Sequence, residues 1–359
     1  MTVRPGSPPA VAEHDRRILM RIDAYTHFFP KKFFDKMIEV AGDYKDMGKR
    51  VRSLPALYDL DVRKKIVDQH KDYQQVLSYP QPPFESFCKT PQQIDEMIRL
   101  CNDGFVELCD KEKDRFPAWV AQVALGVPDA GAAEAERAIK NGALGVQIYT
   151  NVGGKPIDLP QYRPFWEQMN KLGKPIWLHP ARSAETPDYP LAEKKSLYEI
   201  WWTLGWSYET ACAMTRLVYS KIMDDYPNLK IITHHFGGIV PMLEGRLGPG
   251  NDVMGSRTSD EDYVGLRKSL KKRPLDYFKQ DFWADTAVFG GVPATKCGLE
   301  FFPLEKIVFA SDCPFDPEGG TMYPRMTLQI LDSLDIPKAD REKIDYKNLE
   351  AVTGVKLVK

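Results

Sequence analysis

The chain has 359 residues, and its 49 Lys and Arg against 50 Asp and Glu leave a formal charge of −1. That balance gives no electrostatic reason to bind nucleic acid or a membrane surface, and no run reaches the roughly 18 consecutive apolar residues of a membrane span. The first residues lack the basic-then-apolar order of a secretory signal, so a soluble, cytoplasmic protein is expected.

Residues 1–17 carry Pro5, Gly6, Pro8 and Pro9 ahead of a charged run, a composition expected to form a flexible N-terminal tail. From 18 to 359 short apolar, β-branched runs alternate with helix-like segments, the pattern of βα units in one domain. The runs fall at 18–24, 73–79, 118–125, 143–149, 175–179, 230–234, 282–286 and 307–311, with amphipathic stretches at 90–113, 132–140, 208–226 and 323–334 between them. Eight strands with intervening helices favour an α/β fold closed as a (β/α)₈ TIM barrel. An open dinucleotide-binding sheet would set a glycine-rich turn after the first strand, where this chain reads Ala-Tyr-Thr-His-Phe-Phe-Pro. The Gly153-Gly154-Lys155 triplet lacks the remaining residues of a phosphate loop. Cys88, Cys101, Cys109, Cys212, Cys297 and Cys313 form no C-x-x-C pair and read as reduced thiols.

Four of the six histidines end predicted strands, on the barrel face that carries active sites. His27 ends strand one, His179 strand five, and His234 with His235 strand six, while Asp312 ends strand eight in Phe-Ala-Ser-Asp-Cys-Pro-Phe. Alternation along a strand points Tyr25 and His27 the same way, admits only one of His234 and His235 to the mouth, and turns Cys313 away from the site that Asp312 enters. Imidazoles plus one carboxylate suit a catalytic divalent ion with a place left for water. His14 in the tail and His70 in a charged stretch read as surface residues.

Several fragments in this order resemble one known group. Ile-Asp-Ala-Tyr-Thr-His-Phe-Phe-Pro at 22–30, Leu-His-Pro at 178–180, Ile-Thr-His-His-Phe-Gly-Gly at 232–238, Trp-Ala-Asp-Thr-Ala at 283–287 and Ala-Ser-Asp-Cys-Pro-Phe at 310–315 carry the likeness. Over about residues 18–355 the chain resembles the amidohydrolase-related (amidohydrolase 2) family, typified by aminocarboxymuconate-semialdehyde, γ-resorcylate and 5-carboxyvanillate decarboxylases. The resemblance implies metal ligands at His27, His179 and Asp312, and a catalytic histidine at His235. His234 is expected to pack or hydrogen-bond behind the barrel wall, unless it and His235 exchange roles. It also implies a substrate-carboxylate role for Arg246, sometimes from across a dimer interface, and Arg182 is placed to serve the same anion, which a guanidinium fork suits. Asp285 is expected to orient an imidazole, and Asp23 to do the same or to hydrogen-bond structurally.

One departure stands out. The family's first strand reads His-x-His or Glu-x-His, whereas here Tyr25 takes the first ligand position. A phenol of pKa near 10 would have to fall to about 7 to ligate as phenolate at neutral pH, a cost of roughly 4 kcal/mol, which a divalent ion can supply. Tyr25 is therefore either a fourth metal ligand or a hydrogen-bond partner of substrate or ligand. Strand four ends Gly-Val-Gln-Ile-Tyr without the lysine that two-metal relatives carboxylate, so one ion is expected, zinc first and manganese or iron as alternatives, with a second ion held through Tyr25 as the other reading. The aromatic cluster Trp201, Trp202, Trp206 and Tyr208 either roofs a flat substrate, with Trp202 the chosen contact, or packs at a subunit interface.

The leading expectation is a metal-dependent, non-oxidative decarboxylase of a small hydroxylated aromatic or unsaturated carboxylic acid, with His235 or Asp312 delivering the proton. Hydrolysis of a lactone, amide or C–C bond is the runner-up. A metal-holding subunit of a hetero-oligomer, possibly one that activates oxygen, is the third reading. A homodimer or an assembly with a related barrel chain is expected.

Overall fold

The computed structural model describes residues 20–43, 51–258 and 260–358, so the expected 1–17 extension and His14 lie outside the described residues. Eight parallel strands run β1 (Arg21–His27), β2 (Tyr73–Ser78), β3 (Ala118–Trp119, resuming at Ala121–Gln122), β4 (Val146–Tyr149), β5 (Pro175–His179), β6 (Lys230–Thr233), β7 (Phe282–Asp285) and β8 (Ile307–Val308). Each pairs with its successor. β3 bridges two ladders: Ala118 and Trp119 pair with β2, Ala121 and Gln122 with β4, and Val120 between them still donates to the Leu77 carbonyl at 2.8 Å. The ring closes where Ala24 N donates to Phe309 O and His27 N to Cys313 O, both at 2.8 Å. The α/β barrel expected from the alternating runs is thus formed.

β8 is shorter than the apolar run at 307–311. Beyond Val308, Phe309 N donates to Ile344 O, and the next two amides are met by side chains, Ala310 N by Thr286 Oγ1 and Ser311 N by Asp23 Oδ1, each at 3.0 Å. β4 likewise begins at Val146, although Leu144 N already reaches Trp119 O.

The strands are buried on both faces, as a barrel wall covered by helices must be. Inside, Ile22, Ala24, Val76, Val120, Trp177, Ile232 and Val308 pack together. Outside, a larger apolar layer that includes Phe33, Phe105, Trp166, Met214 and Phe278 fills the space under the helices. The helix Pro91–Lys111 shows why these segments fold so. Thr90 caps it by accepting from Gln93 N, proline occupies its first turn, and Ile94, Met97, Ile98, Cys101 and Phe105 form one buried stripe. The stretch at 208–226 is instead two helices, Gly205–Tyr219 and Ile222–Asp225, because Lys221 takes a left-handed φ of 66°. The stretch at 132–140 starts earlier, with Pro128 at the first helical position.

Candidate metal centre

At the carboxyl ends of β1, β5, β6 and β8 four imidazoles surround one carboxylate. His27 Nε2 lies 2.9 Å from Asp312 Oδ1, His234 Nε2 lies 3.2 Å from the same oxygen, and His235 Nε2 lies 3.5 Å from Asp312 Oδ2. The ring of His179 is 5.2 Å from that of His27 and 5.5 Å from that of His234. All five side chains are buried.

Each of three imidazoles has its Nδ1 engaged from behind. Ser78 Oγ gives its proton to Thr26 O, so at 2.9 Å it accepts from His27 Nδ1–H. His179 Nδ1 donates to Pro180 O at 2.7 Å, and His234 Nδ1 donates to Asp285 Oδ2 at 2.5 Å. A ring whose proton sits on Nδ1 presents a bare lone pair at Nε2. The Nε2 atoms of His27, His234 and His235 make no hydrogen bond of acceptable geometry, although buried polar atoms are rarely left so. At His27, and at His234 once its Nε2 is deprotonated, a lone pair facing a carboxylate oxygen about 3 Å away calls for a cation between them.

The donor set fits that demand. Ligand atoms of His27, His179 and His234 lie within 4.8 Å of one another, as do those of His234, His235 and Asp312. The short nitrogen–oxygen separations approach the roughly 3.3 Å edge of a tetrahedron built on ~2.0–2.1 Å bonds. The held rear nitrogens are the usual way of aiming such ligands.

Electrostatics follow burial. Loss of solvent lowers the pKa of His27 and His235 and lowers that of His179 well below the ordinary value, so all three are neutral at pH 7. Burial pulls His234 down too, but the Asp285 and Asp312 carboxylates outweigh it and hold the pKa up at about 10. Burial raises Asp312, yet the imidazoles around it, His234 foremost, hold it well below the carboxylate range. The proton on His234 stands where a cation would, and metal binding would release it.

The His-His pair corrects the alternation argument. His234 does not pack behind the wall. Regular strand ends at Thr233, His235 and Phe236 take left-handed φ values of 55° and 49°, and the two imidazoles stack at 3.7 Å, both in the site. Gly238 completes this turn, since a Cβ there would stand 2.3 Å from Ser207 O on the neighbouring helix. Asp312 also has positive φ, 65°, and such strained positions gather at functional sites. Cys313 does turn away, its thiol meeting Gly320 O.

An amidohydrolase family model matches residues 22–352. The chain belongs to the amidohydrolase family. It is 31% identical over 338 residues to γ-resorcylate decarboxylase of Rhizobium sp. strain MTP-10005, covering 90% of this chain and 94% of that one. It is 30% identical over 306 residues to the enzyme of the same name from Rhodococcus jostii RHA1, covering 80% and 85%. Among solved structures, dihydroxybenzoic acid decarboxylase from Polaromonas sp. JS666, with bound manganese and the inhibitor 2-nitroresorcinol, superposes with a TM-score of 0.72. That pair is 26% identical, with 94% of this chain and 97% of that one covered.

The other expected site residues of this amidohydrolase take varied places. Tyr25 shares the site, its ring 4.9 Å from that of His27 and 4.7 Å from that of His234, but its hydroxyl donates to Gln147 Oε1 at 2.5 Å. Burial, then nearby negative groups, push its pKa well above 10, away from phenolate. Arg182 already has acidic partners, while its buried Nε makes no hydrogen bond among the described residues. Its Nη2 donates to Pro187 O and Asp188 Oδ1, and its Nη1 lies 3.7 Å from Glu209. Trp202 is spent on Glu199 through Nε1, while Trp206, which the sequence did not single out from its neighbours, stands 5.8 Å from the His179 ring and donates to Arg182 O. Arg246 is exposed in the turn Arg246–Gly250, with no ion pair among the described residues. His70 is half-buried against Tyr73 rather than at the surface. Asp285 accepts from His234 and from His235 N. Asp23 is structural, taking protons from Tyr73 and Ser311. No helix among the described residues is long and apolar enough to cross a membrane.

Proposed function

We propose that this chain is a divalent-metal-dependent, non-oxidative decarboxylase of a small hydroxylated aromatic acid. One observation carries the reading: unsatisfied imidazole nitrogens converge on a single ionised carboxylate inside the barrel mouth. The related γ-resorcylate and dihydroxybenzoic acid decarboxylases named above supply the reaction class. Aromatic rings border the imidazoles, Phe315 at 5.7 Å from His27, Phe289 at 5.0 Å from His235 and Tyr149 at 5.5 Å from His179, walls that suit a flat ring.

Bound among His27, His179, His234 and Asp312, a divalent cation would anchor the substrate's carboxylate and adjoining oxygen and draw electron density from them. The residues do the rest. Burial keeps His235 neutral, and its Nε2 lies 3.5 Å from the ionised Asp312, so the pair would take up one proton from water and give it to the ring carbon as the bond to the carboxylate breaks and CO₂ leaves. Zinc is the proposed ion on the mixed imidazole and carboxylate donors, and manganese and iron are the competitors. Assembly as a homodimer, or with a related barrel chain, through the face bearing exposed Leu204, Tyr208 and Met242 is part of the reading.

The test is CO₂ release from 2,6-dihydroxybenzoate and other 2-hydroxybenzoates by the protein purified alone and reconstituted with each metal. Oxygen-18 from water appearing in product, without CO₂, would replace decarboxylation by hydrolysis. Turnover that needs a second chain would replace it by the subunit reading.

A further inference from the structure

A ladder of buried amides decides what Tyr25 can be. Val123 O is an acceptor only, so Gln122 must turn its Nε2 toward it, at 2.9 Å. The Oε1 of Gln122 then faces Gln147 and accepts from its Nε2 at 2.9 Å. This leaves Gln147 Oε1 directed at the Tyr25 hydroxyl, which has to donate. The ladder is pinned at its far end, where Asn102 brackets the Gln122 backbone, accepting from its N and donating to its O at 3.0 Å each, and also donates to buried Glu134. A phenolate at Tyr25 would set an anionic oxygen against the Gln147 carbonyl oxygen at hydrogen-bond distance, with no proton between.

On the opposite wall His234 offers what Tyr25 withholds. Asp285 fixes its Nδ1, its Nε2 stands by Asp312, and that nitrogen has no hydrogen-bond partner. We propose that Gln147 and Gln122 are positioning residues that hold Tyr25 as a neutral phenol outside the metal's ligand set, and that His234 from β6 supplies the remaining ligand beside His27, His179 and Asp312. The inference rests on the metal-centre reading but not on the identity of the reaction.

Calorimetric titration of the metal-free full chain with Zn²⁺ tests it, together with the visible spectrum of the Fe³⁺-loaded protein, where phenolate ligation gives a charge-transfer band. Tyr25→Phe should keep its Zn²⁺ affinity within about threefold, whereas His234→Gln should lose about 100-fold or more, and Asp285→Asn, which weakens the hold on the imidazole while one side-chain oxygen can still accept from the His235 and Ala287 amides, about 10–100-fold. The ferric wild type should show no phenolate band. Asp285→Asn decides the His234 arm should His234→Gln fail to fold. A band that vanishes in Tyr25→Phe overturns the proposal, as does a tenfold loss in that variant or wild-type affinity in His234→Gln or Asp285→Asn. A wild type that binds no Zn²⁺ sinks the metal centre and this inference together. The expected pattern without any CO₂ release sustains the inference and sinks only the decarboxylase reading.

Discussion

Both ends of the barrel gather charge, and they use it in opposite ways. At the amino-terminal end Lys230, Lys271, Lys272 and Lys306 line a cavity of about 360 Å³ with Asp224 and Asp281. Every one of those ammonium groups is spent: Lys230 on Val352 O, Lys271 on Asp224 O, Lys272 on Asp281 and Lys306 on Gln280 O. Three of the four acceptors are carbonyls at or beside helix carboxyl ends, where a cation is stabilising. At the mouth, three imidazole nitrogens around Asp312 stay without a hydrogen bond. A functional site is marked by unspent bonding capacity that the fold maintains at a cost, and concentrated charge alone does not mark one.

The sharpest way to break this contrast is to remove the mouth's proton carriers. Asp312→Asn should lower CO₂ release by about 10²–10⁴ and weaken metal binding, because the carboxylate serves both. His235→Gln should lower turnover by about 10²–10⁴ while leaving most of the metal content, since its backbone donor to Asp285 and the Asp285 hold on His234 remain although the ring stacked on His234 is lost. Metal analysis beside turnover checks both, and equal metal loss in the two variants would make His235 a ligand.

Next in size is the ion itself. A cation held at 100 times its dissociation constant stabilises the fold by about 2.7 kcal/mol. Chelation should therefore lower the melting temperature, measured by calorimetry, and added metal should restore it. A melting temperature indifferent to chelation would make the mouth as fully spent as the opposite end.

Much of this contrast was legible before folding was considered, because strand ends are visible as breaks in apolar runs and His27, His179 and Asp312 fall on them. His234 was not, since alternation assumes that the strand continues, whereas His235 and Phe236 turn left-handed in a loop whose Gly238 packs close against Ser207. The partners of Arg182 were hidden for a related reason: Asp188 and Glu209 are brought to it by the course of the loop and the following helix. Trp206 and Trp202 are four apart and look alike in sequence, but they lie on separate helices, Ile200–Thr203 and Gly205–Tyr219, and the break between these sends one to His179 and the other to Glu199. Gln147 had no signal beyond the absence of a lysine, for an amide in a strand becomes informative only when its partners are known.

That glutamine gives a smaller, sharper test. Gln147→Leu removes the acceptor of the Tyr25 proton and the donor to Gln122, leaving both partners buried and unsatisfied. Denaturant unfolding should show a loss of about 1–3 kcal/mol, with Gln147→Glu recovering part of it because a carboxyl oxygen can still accept from Tyr25. Equal loss in both variants would mean that the volume of the side chain matters and its oxygen does not.

The smallest effect belongs to the opposite end. Lys174 precedes β5, and its Nζ donates at 2.6 Å to Thr353 O, in the last turn of the helix Asn348–Thr353 that Lys230 also grips. Lys174→Met keeps most of the aliphatic stem and deletes one cation at a helix carboxyl end, so unfolding should become easier by about 0.3–1 kcal/mol. Turnover and metal affinity should not move, because this lysine is committed to holding the barrel's base and has nothing left to offer a ligand. A drop in turnover without a matching loss of stability would mean that the two ends are coupled, and that the charge at the base also shapes the mouth.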